Sequence, residues 1–190
     1  NGDFYEGDWV SGDRTGKGIL TFKDGGVYQG DFVKGIRTGE GILNLKDGKF
    51  YEGDFVKGIR TGKGMLKMVN GNTYSGSFKN NKYEGYGVYK YLDGFRYEGN
   101  WKDGKKDGKI TVVEEDGSKK NENWKDGIEI VPFINISGHI EDKTGANLKS
   151  VRVSVEGTSK TVSTDSNGNY TIKVRPGQTL IVSYVGLKTR

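Results

Sequence analysis

The chain has one imidazole, His139, and no cysteine. Catalysis by a side-chain nucleophile needs a partnered base, and no serine or cysteine nucleophile motif accompanies His139. Because His139 alternates with Ile140, we expect a solvent-facing residue on a strand. A single histidine and the lack of thiols also exclude multi-histidine and thiolate metal sites. These residues predict that the chain is not an enzyme.

A second candidate for chemistry is the segment 165–169, Asp-Ser-Asn-Gly-Asn, which resembles the start of a calcium-binding loop. Such a loop ends in a glutamate that binds the ion through both oxygens, and Pro176 stands at that position here. We therefore interpret the segment as a β-turn. The sequence predicts no metal and no cofactor.

Carboxylates recur at a fixed spacing in the first two thirds of the chain. Paired carboxylates could indicate glycoside hydrolysis. A pair that recurs along the chain is instead typical of the solvated face of a sheet, where basic residues such as Lys17 and Lys63 could pair with the acids across strands. The acids concerned are Asp8, Asp31 and Asp54, with Glu6, Glu52 and Glu98.

Basic residues also recur, and we expect them to line one long edge of the sheet as a basic stripe. Three interpretations stay open: capture of anionic lipid head groups, capture of an acidic partner, or edge protection that prevents pairing with other sheets. The stripe comprises Arg14, Lys34, Arg37, Lys57, Arg60, Lys105 and Lys106.

A repeat of 23 residues positions all these columns. Alternation within each repeat predicts two strands, with a tight hairpin turn at each Asp-Gly, as at Asp24-Gly25, and a longer loop, as at 11–15. Glycine columns inside the strands are expected to leave a slot for a ring of the neighbouring unit. Stacked units then form an aromatic ladder, either plain core or an exposed interaction surface. The ladder comprises Tyr5, Trp9, Tyr28, Phe32, Tyr51, Phe55, Tyr74, Phe78, Tyr97 and Trp101.

Residues 1 to about 130 resemble an array of MORN repeats, on the pattern Tyr-Glu-Gly-Asp-Trp, Gly-Lys-Gly and Asp-Gly between Tyr5 and Gly25. The resemblance implies an elongated single sheet of antiparallel hairpins, a binding or scaffolding role and often dimerisation. Phospholipid binding has also been proposed for the family. Three residues depart from the pattern: Asn81 and Ile110 replace glycines, and Glu114 replaces an apolar residue. We interpret the last two as adaptation of a terminal unit.

Residues 131–190 have a different pattern of short alternating strands and predict a small β-sandwich. They resemble the carboxypeptidase regulatory-like domain through Val-x-Val-x-Val-x-Gly-Thr from Val151, Thr-Asp-x-x-Gly-x-Tyr from Thr164 and the closing Ser-Tyr-Val-Gly from Ser183. The resemblance implies an accessory module without peptidase residues, common in TonB-dependent receptors and bacterial envelope proteins. The family normally adds a further strand, so we expect the sandwich to be truncated at its end.

The sequence therefore predicts an all-β, non-catalytic scaffold or protein-interaction module that forms part of a larger bacterial envelope protein. Anionic-lipid binding and an accessory role in a larger enzyme or TonB-dependent transporter remain as alternatives. A net charge of +5 on 190 residues is weak support for nucleic-acid binding, which we do not expect. A protein partner is expected, and a homodimer through the array stays open. The cell envelope is favoured over the cytoplasm.

Overall fold

The computed structural model describes residues 2–184, and its chain contacts divide the molecule into two units, Asn1–Ile130 and Val131–Arg190. Strands form every regular element within residues 2–184, which confirms the all-β prediction. Those residues include no helix with the length and apolarity required to cross a membrane.

The first unit is one antiparallel sheet whose strands follow each other in chain order, each paired with the next. The alternation of aromatic and polar residues favours strands, and each added strand pairs the edge of the previous one. The strands β1 to β12 are Phe4–Val10, Asp13–Thr21, Val27–Val33, Ile36–Asn44, Phe50–Val56, Ile59–Lys67, Thr73–Lys79, Lys82–Lys90, Arg96–Lys102, Lys105–Val113, Lys119–Lys125 and Ile128–Glu129.

The two connections of each repeat are the reverse of the sequence prediction. β1 and β2 are joined by only two residues, Ser11 and Gly12, with φ angles of 51° and 85°. Positive φ at both central positions matches the twist of the strands, so this connection is the tight hairpin turn. Lys34 and Asn80 occupy the same position as Ser11, and Asn81 adopts a φ of 66° where other units have glycine. Asparagine tolerates that conformation, which explains the departure.

The Asp-Gly connection is the longer loop. The amide of Gly25 donates to the carbonyl of Phe22, and the amide of Phe22 donates to the carbonyl of Gly26. The carboxylate of Asp24 accepts from the amide of Gly26 at 2.9 Å. Aspartate is favoured here because its side chain bonds the backbone two residues on, and glycine because its φ is +93°. The same residue pair therefore specifies a wider turn than the one predicted.

Each hairpin also contains a β-bulge. The pairing of β5 with β6 shifts between Gly53 and Phe55, so that β6 has extra residues at this point. The carboxylate of Asp54 accepts from the amide of Lys63 at 2.7 Å, and this bond satisfies a donor that the bulge removes from the ladder. Gly62 has a φ of +80°, and a Cβ there would collide with Asp54.

The second unit contains two small sheets, one pairing β13 with β16 and the other in the order β15-β14-β17. Its core includes the buried residues Val155, Ile172 and Val174. Val185 and Gly186 of the predicted closing motif lie outside the described residues. The strands β13 to β17 are Ile134–His139, Arg152–Val155, Thr161–Ser163, Asn169–Val174 and Leu180–Ser183.

Candidate partner-binding groove

One face of the array sheet is a continuous aromatic core. Tyr28 and Tyr51 are 0% and 1% exposed. The ring of Tyr28 meets Phe32 of its own unit and Phe55 of the next unit edge-to-face, both at 5.2 Å between centroids. Edge-to-face contact is the geometry that aromatic rings favour, and here it links each unit to the next.

The ladder is core in its middle and less covered at its ends. The buried members are Tyr28, Phe32, Tyr51, Phe55, Tyr74, Phe78 and Trp101. Tyr5 and Tyr97 are partly buried, and Trp9 of the first strand is 57% exposed. The buried rings do not form an exposed groove, so this face of units two to four is packed core.

The glycine slots exist, but each is occupied by a ring of the same unit rather than the neighbouring unit. A Cβ on Gly64 would lie 2.5 Å from the hydroxyl of Tyr51, which belongs to the same hairpin. Gly41 and Tyr28 have the same relation. The reason is register: Gly64 pairs with Gly53, two residues after Tyr51 on the same face, so the ring folds over both glycines. The predicted occupant was therefore wrong, although the need for space was right.

The tyrosine hydroxyls donate hydrogen bonds to backbone carbonyls at the bulges. Tyr51 donates to the carbonyl of Asp54 at 3.2 Å, and Tyr74 donates to the carbonyl of Ser77 at 3.1 Å. Burial raises the pKa of the Tyr28 and Tyr51 hydroxyls to about 12, because the low-dielectric core disfavours the phenolate. These hydroxyls therefore act as permanent donors near neutral pH.

The arginines predicted to line a free basic edge instead cover this core. The guanidinium carbon of Arg37 lies 5.4 Å from the Tyr28 centroid and 5.6 Å from that of Phe55. Its terminal nitrogen donates to the carbonyl of Gly58 at 3.2 Å. Desolvation lowers the pKa of Arg37. Arg14 and Arg60 have corresponding positions over Tyr5 and Tyr51.

The physical reason is strand pairing: Arg37 is the cross-strand partner of Phe32, on the aromatic face. The lysines of the predicted stripe are placed differently. Lys34 and Lys57 occupy the two-residue turns, Lys105 begins β10, and all three are exposed. The stripe is thus divided between half-buried arginines and exposed lysines and is not one continuous basic edge.

Units four and five cover their tyrosines with other groups. Tyr83 occupies the arginine column and stacks on Tyr74, with centroids 3.7 Å apart and planes 14° apart. In unit five the ammonium of Lys106 lies 3.5 Å from the Tyr97 centroid and 3.2 Å from that of Trp124. Desolvation lowers the pKa of Lys106 to about 8.

The opposite face of the sheet has a groove of about 820 Å³ that crosses the first three units. Its floor is the backbone of paired glycines, such as Gly18 with Gly30 and Gly41 with Gly53. The side-chain positions of Gly18, Gly30 and Gly41 point to the tyrosine rings of the aromatic face, so the floor is main chain between the rows of wall residues. The walls are side chains that alternate away from the aromatic face, and they comprise Glu6, Lys17, Ile19, Gln29, Glu40, Ile42, Glu52, Asp54 and Lys63.

The walls combine exposed acids with apolar side chains. Lys17 forms an ion pair with Asp31 at 3.0 Å, as expected for a cross-strand pair. Lys63 differs from the expectation, since its ammonium bonds the hydroxyl of Ser77 at 3.0 Å. Among the described residues, Glu40 and Glu52 form no ion pair. The groove therefore presents unneutralised negative charge.

The sequence analysis placed Glu6, Asp31, Asp54 and Glu52 on a solvated outer face but missed the groove between them. The glycine columns did not signal it, because the missing side chains of Gly18, Gly41 and Gly64 belong to the aromatic face, where each position faces a tyrosine ring. Ile19, Ile42 and Met65 directly follow Gly18, Gly41 and Gly64, and their apolar character at an outward position was the available signal.

The other candidates for chemistry have structural roles. His139 is exposed on β13, and its Nδ1 lies 3.0 Å from the Asn169 side-chain oxygen. Asp165 accepts from the amides of Asn167 and Asn169, which makes the segment a turn. Within residues 2–184, no group of three or more acidic or histidine side chains could hold a metal ion.

Comparison with known protein families agrees with this architecture. The MORN repeat model matches residues 5–27, 28–50, 51–73, 74–96 and 97–109, more than half of the chain. This chain belongs to the MORN repeat family. A CarboxypepD_reg-like domain matches residues 136–190, and both resemblances drawn from the sequence are thereby confirmed.

No curated protein matches the sequence closely enough to count as a relative. Among solved structures, the chain is similar to the SAS-4 (dCPAP) TCP domain of Drosophila melanogaster, determined in complex with a proline-rich motif of Ana2 (dSTIL). The identity is 11%, the TM-score 0.40, and the match covers 89% of this chain and 84% of that one. At that TM-score the similarity supports no inference about this chain.

The MORN repeats and the CarboxypepD_reg-like domain are both non-catalytic modules. Together they indicate a protein-interaction or membrane-associated module.

Proposed function

We propose that the MORN array is a docking surface for a protein partner and that the partner binds in the groove on its open face. The observation that carries this proposal is the difference between the two faces of one sheet. The aromatic face is filled by its own rings and arginines, while the opposite face is a groove with exposed acids and partly exposed apolar side chains. Concave surfaces that combine apolar walls with a few polar groups are typical binding sites.

The chemistry of the walls specifies the partner segment. Glu6, Glu40 and Glu52 are exposed, and Lys17 is already paired with Asp31. Basic side chains on the partner would complement these carboxylates. Ile19 is 36% exposed and Ile42 is half-buried, so apolar side chains would complete the contact. We infer a segment that combines lysine or arginine with apolar residues, rather than the acidic partner that was one of the three interpretations of the basic stripe.

The groove is preformed, which favours binding. Its strands β2 to β6 are paired on both sides, and β1 is the edge strand, in a sheet whose opposite face is packed. Little ordering entropy of the array would oppose association, so the binding free energy is reduced mainly by ordering of the partner. A rigid array with a repeated surface is suited to act as a scaffold.

The experiment compares two labelled peptides of equal length, one alternating leucine with lysine and one alternating leucine with glutamate. We expect the lysine peptide to bind the full chain, with weaker binding at high salt. The double variant Glu40→Lys/Glu52→Lys should weaken that binding roughly tenfold or more. Glu115→Lys, in the loop after β10 and away from the groove, is the matched control and should leave binding unchanged. Fluorescence anisotropy measures the binding of each peptide to the unsubstituted chain, the double variant and the control variant.

Equal affinity for both peptides, or no effect of the double variant, would contradict groove binding. Vesicles containing an anionic phospholipid test the membrane alternative. Salt-sensitive vesicle binding that Lys34→Glu/Lys57→Glu abolishes, without any peptide binding, would replace the protein partner by a membrane surface.

We also propose that the chain works in a bacterial cell envelope, as part of a larger protein. What supports this is the resemblance of residues 136–190 to a module of envelope proteins. Fractionation of the source cells, followed by detection of the protein in envelope and soluble fractions, tests the proposal. Recovery in the cytoplasmic fraction alone would contradict it.

A further inference from the structure

The second unit has a pocket that none of the preceding roles uses. It lies where three chain segments meet: Phe133 just before β13, Lys160 just before β15, and Arg175 just after β16. The pocket encloses about 290 Å³, and Val155 and Thr158 also line it. That volume is at the lower end of ligand pockets, so it suits a small group.

Three cations lie near the aromatic ring of this pocket, and two of them, Lys160 and Arg175, line the pocket itself. The ammonium of Lys160 lies 5.0 Å, the guanidinium carbon of Arg175 5.1 Å and the ammonium of Lys173 5.8 Å from the centroid of Phe133. None of the three forms an ion pair with a carboxylate within residues 2–184. Like charges gathered around one point repel each other, and an anion placed among them relieves that repulsion.

The hydrogen-bonding groups of the pocket select an acceptor. The Thr158 hydroxyl donates to the carbonyl of Val155 and accepts from the amide of Lys160. The Gln178 side-chain oxygen accepts from the amide of Arg175 at 2.7 Å. The groups left over are the Lys160 ammonium, the Arg175 guanidinium and the Gln178 amide nitrogen, which are all donors.

The ligand also needs an apolar body. Phe133 is 47% exposed, so its ring is available to a ligand, and Val155 is a buried apolar residue that lines the same pocket. A carboxylate matches the planar fork of an arginine, and a ring or aliphatic group would pack against Phe133.

We propose that this pocket binds a carboxylate carried on a small apolar or aromatic body. Arg175 and Lys160 hold the carboxylate, and Phe133 contacts the body. A free aromatic acid and the terminal residue of a peptide chain both present this chemistry. The proposal does not depend on the groove of the MORN array.

The test uses N-acetylphenylalanine and N-acetylphenylalaninamide, which differ in the carboxylate alone. NMR titration of the full chain should shift the backbone amides of Lys160, Arg175 and Gln178 with the acid and not with the amide. Arg175→Gln should weaken binding roughly tenfold, as expected for loss of a hydrogen bond to a charged group. Phe133→Ser should weaken it as well, whereas Lys149→Gln, an exposed lysine of the same unit, should have no effect. If Arg175→Gln fails to fold, Lys160→Gln replaces it.

Equal shifts with the acid and the amide would overturn the proposal, as would binding that Arg175→Gln and Lys160→Gln leave unchanged. Inorganic phosphate that binds as tightly as the acid, with no effect of Phe133→Ser, would overturn the apolar part. A peptide ending in a free phenylalanine carboxylate distinguishes the sources. Tighter binding of the peptide than of the acid assigns the pocket to a chain terminus, and equal binding assigns it to a small acid.

Discussion

The first three repeats and the last two cover a tyrosine ring in different ways. In units one to three an arginine lies over the ring and bonds the backbone of the next unit, as Arg14 does with the carbonyl of Gly35 at 3.0 Å. In unit four the cover is Tyr83, and in unit five it is Lys106. In every unit a flat or cationic group lies over the face of the tyrosine ring, and the residue type at that position varies.

Unit five also differs beneath the ring. Ile110 replaces the slot glycine and is completely buried, and a Cβ on Gly99 would meet its side chain at 2.8 Å. The space that a tyrosine occupies in other units is thus filled by isoleucine. Tyr97 is consequently only partly buried and packs toward Trp124. The comparison teaches that either a tyrosine ring over glycine or an isoleucine side chain can fill the same volume of the core.

The largest effect in this comparison should come from removing a fully buried ring. Tyr51→Ala should lower the free energy of unfolding by about 3–5 kcal/mol, because a cavity remains between two units. Tyr97→Ala is the matched control and should cost clearly less. Chemical denaturation of both variants measures the difference. Equal losses would mean that unit five is packed like the others.

Filling the slot should have the next largest effect. Gly64→Ala should cost about 1–3 kcal/mol, since the new methyl group collides with Tyr51. In the Tyr51→Ala background the slot is empty, and the same substitution should cost almost nothing. A double-mutant cycle of unfolding free energies gives this coupling. Additive losses would show that Gly64 is needed for another reason.

Removing the cover should have a smaller effect. Arg60→Ala should cost about 1–2 kcal/mol, through loss of its contact with Tyr51 and of its bonds to Asn81. Arg60→Tyr imitates unit four and should recover part of the loss. Thermal unfolding of the two variants measures this order, and a tyrosine variant less stable than the alanine variant would contradict it.

The smallest effect concerns the Lys106 cover. Its pKa is about 8 in the folded chain against 10.5 ordinarily. Between these values the unfolded chain binds more protons, so the unfolding free energy should rise with pH. We expect less than about 1 kcal/mol, because the ammonium is partly solvated. The unfolding free energies of the unsubstituted chain and of Lys106→Met are to be measured at pH values below 10, where the buried tyrosines stay neutral. The rise with pH should be absent in Lys106→Met. A stability that falls across this range only in the unsubstituted chain would refute the assignment.

The periodicity of the sequence was enough to predict the sheet, its repeat and its aromatic face, because strand alternation is a local property. The assignment of the two turns and the position of the arginines could not be predicted from periodicity. Ser11-Gly12 and Asp24-Gly25 both contain turn residues, and only the backbone angles at the first position separate a two-residue turn from a wider one. Arg37 appeared to lie in a loop until the shorter turn moved it into β4, opposite Phe32.

The groove could not be predicted as a site because its shape depends on how side chains from six strands are spaced. The missing side chain of Gly41 belongs to the aromatic face, under the Tyr28 ring, although its main chain lines the groove. The Phe133 pocket was missed for another reason: Phe133, Lys160 and Arg175 come from three different segments, and only tertiary contacts bring the two cations to the ring.

The ring of one hairpin touching the ring of the next has an evolutionary consequence. Because Tyr28 contacts Phe55 just as Tyr51 contacts Phe78, a duplicated stretch of DNA that encodes one whole hairpin would add a unit with matching contacts on both sides. Such a duplication would lengthen the array by two strands, about 10 Å, without exchanging inside for outside. Gain or loss of part of a repeat would shift every later side chain relative to its contacts in the neighbouring unit. The number of repeats can therefore change by whole units during evolution, while the aromatic contacts between neighbouring units stay the same.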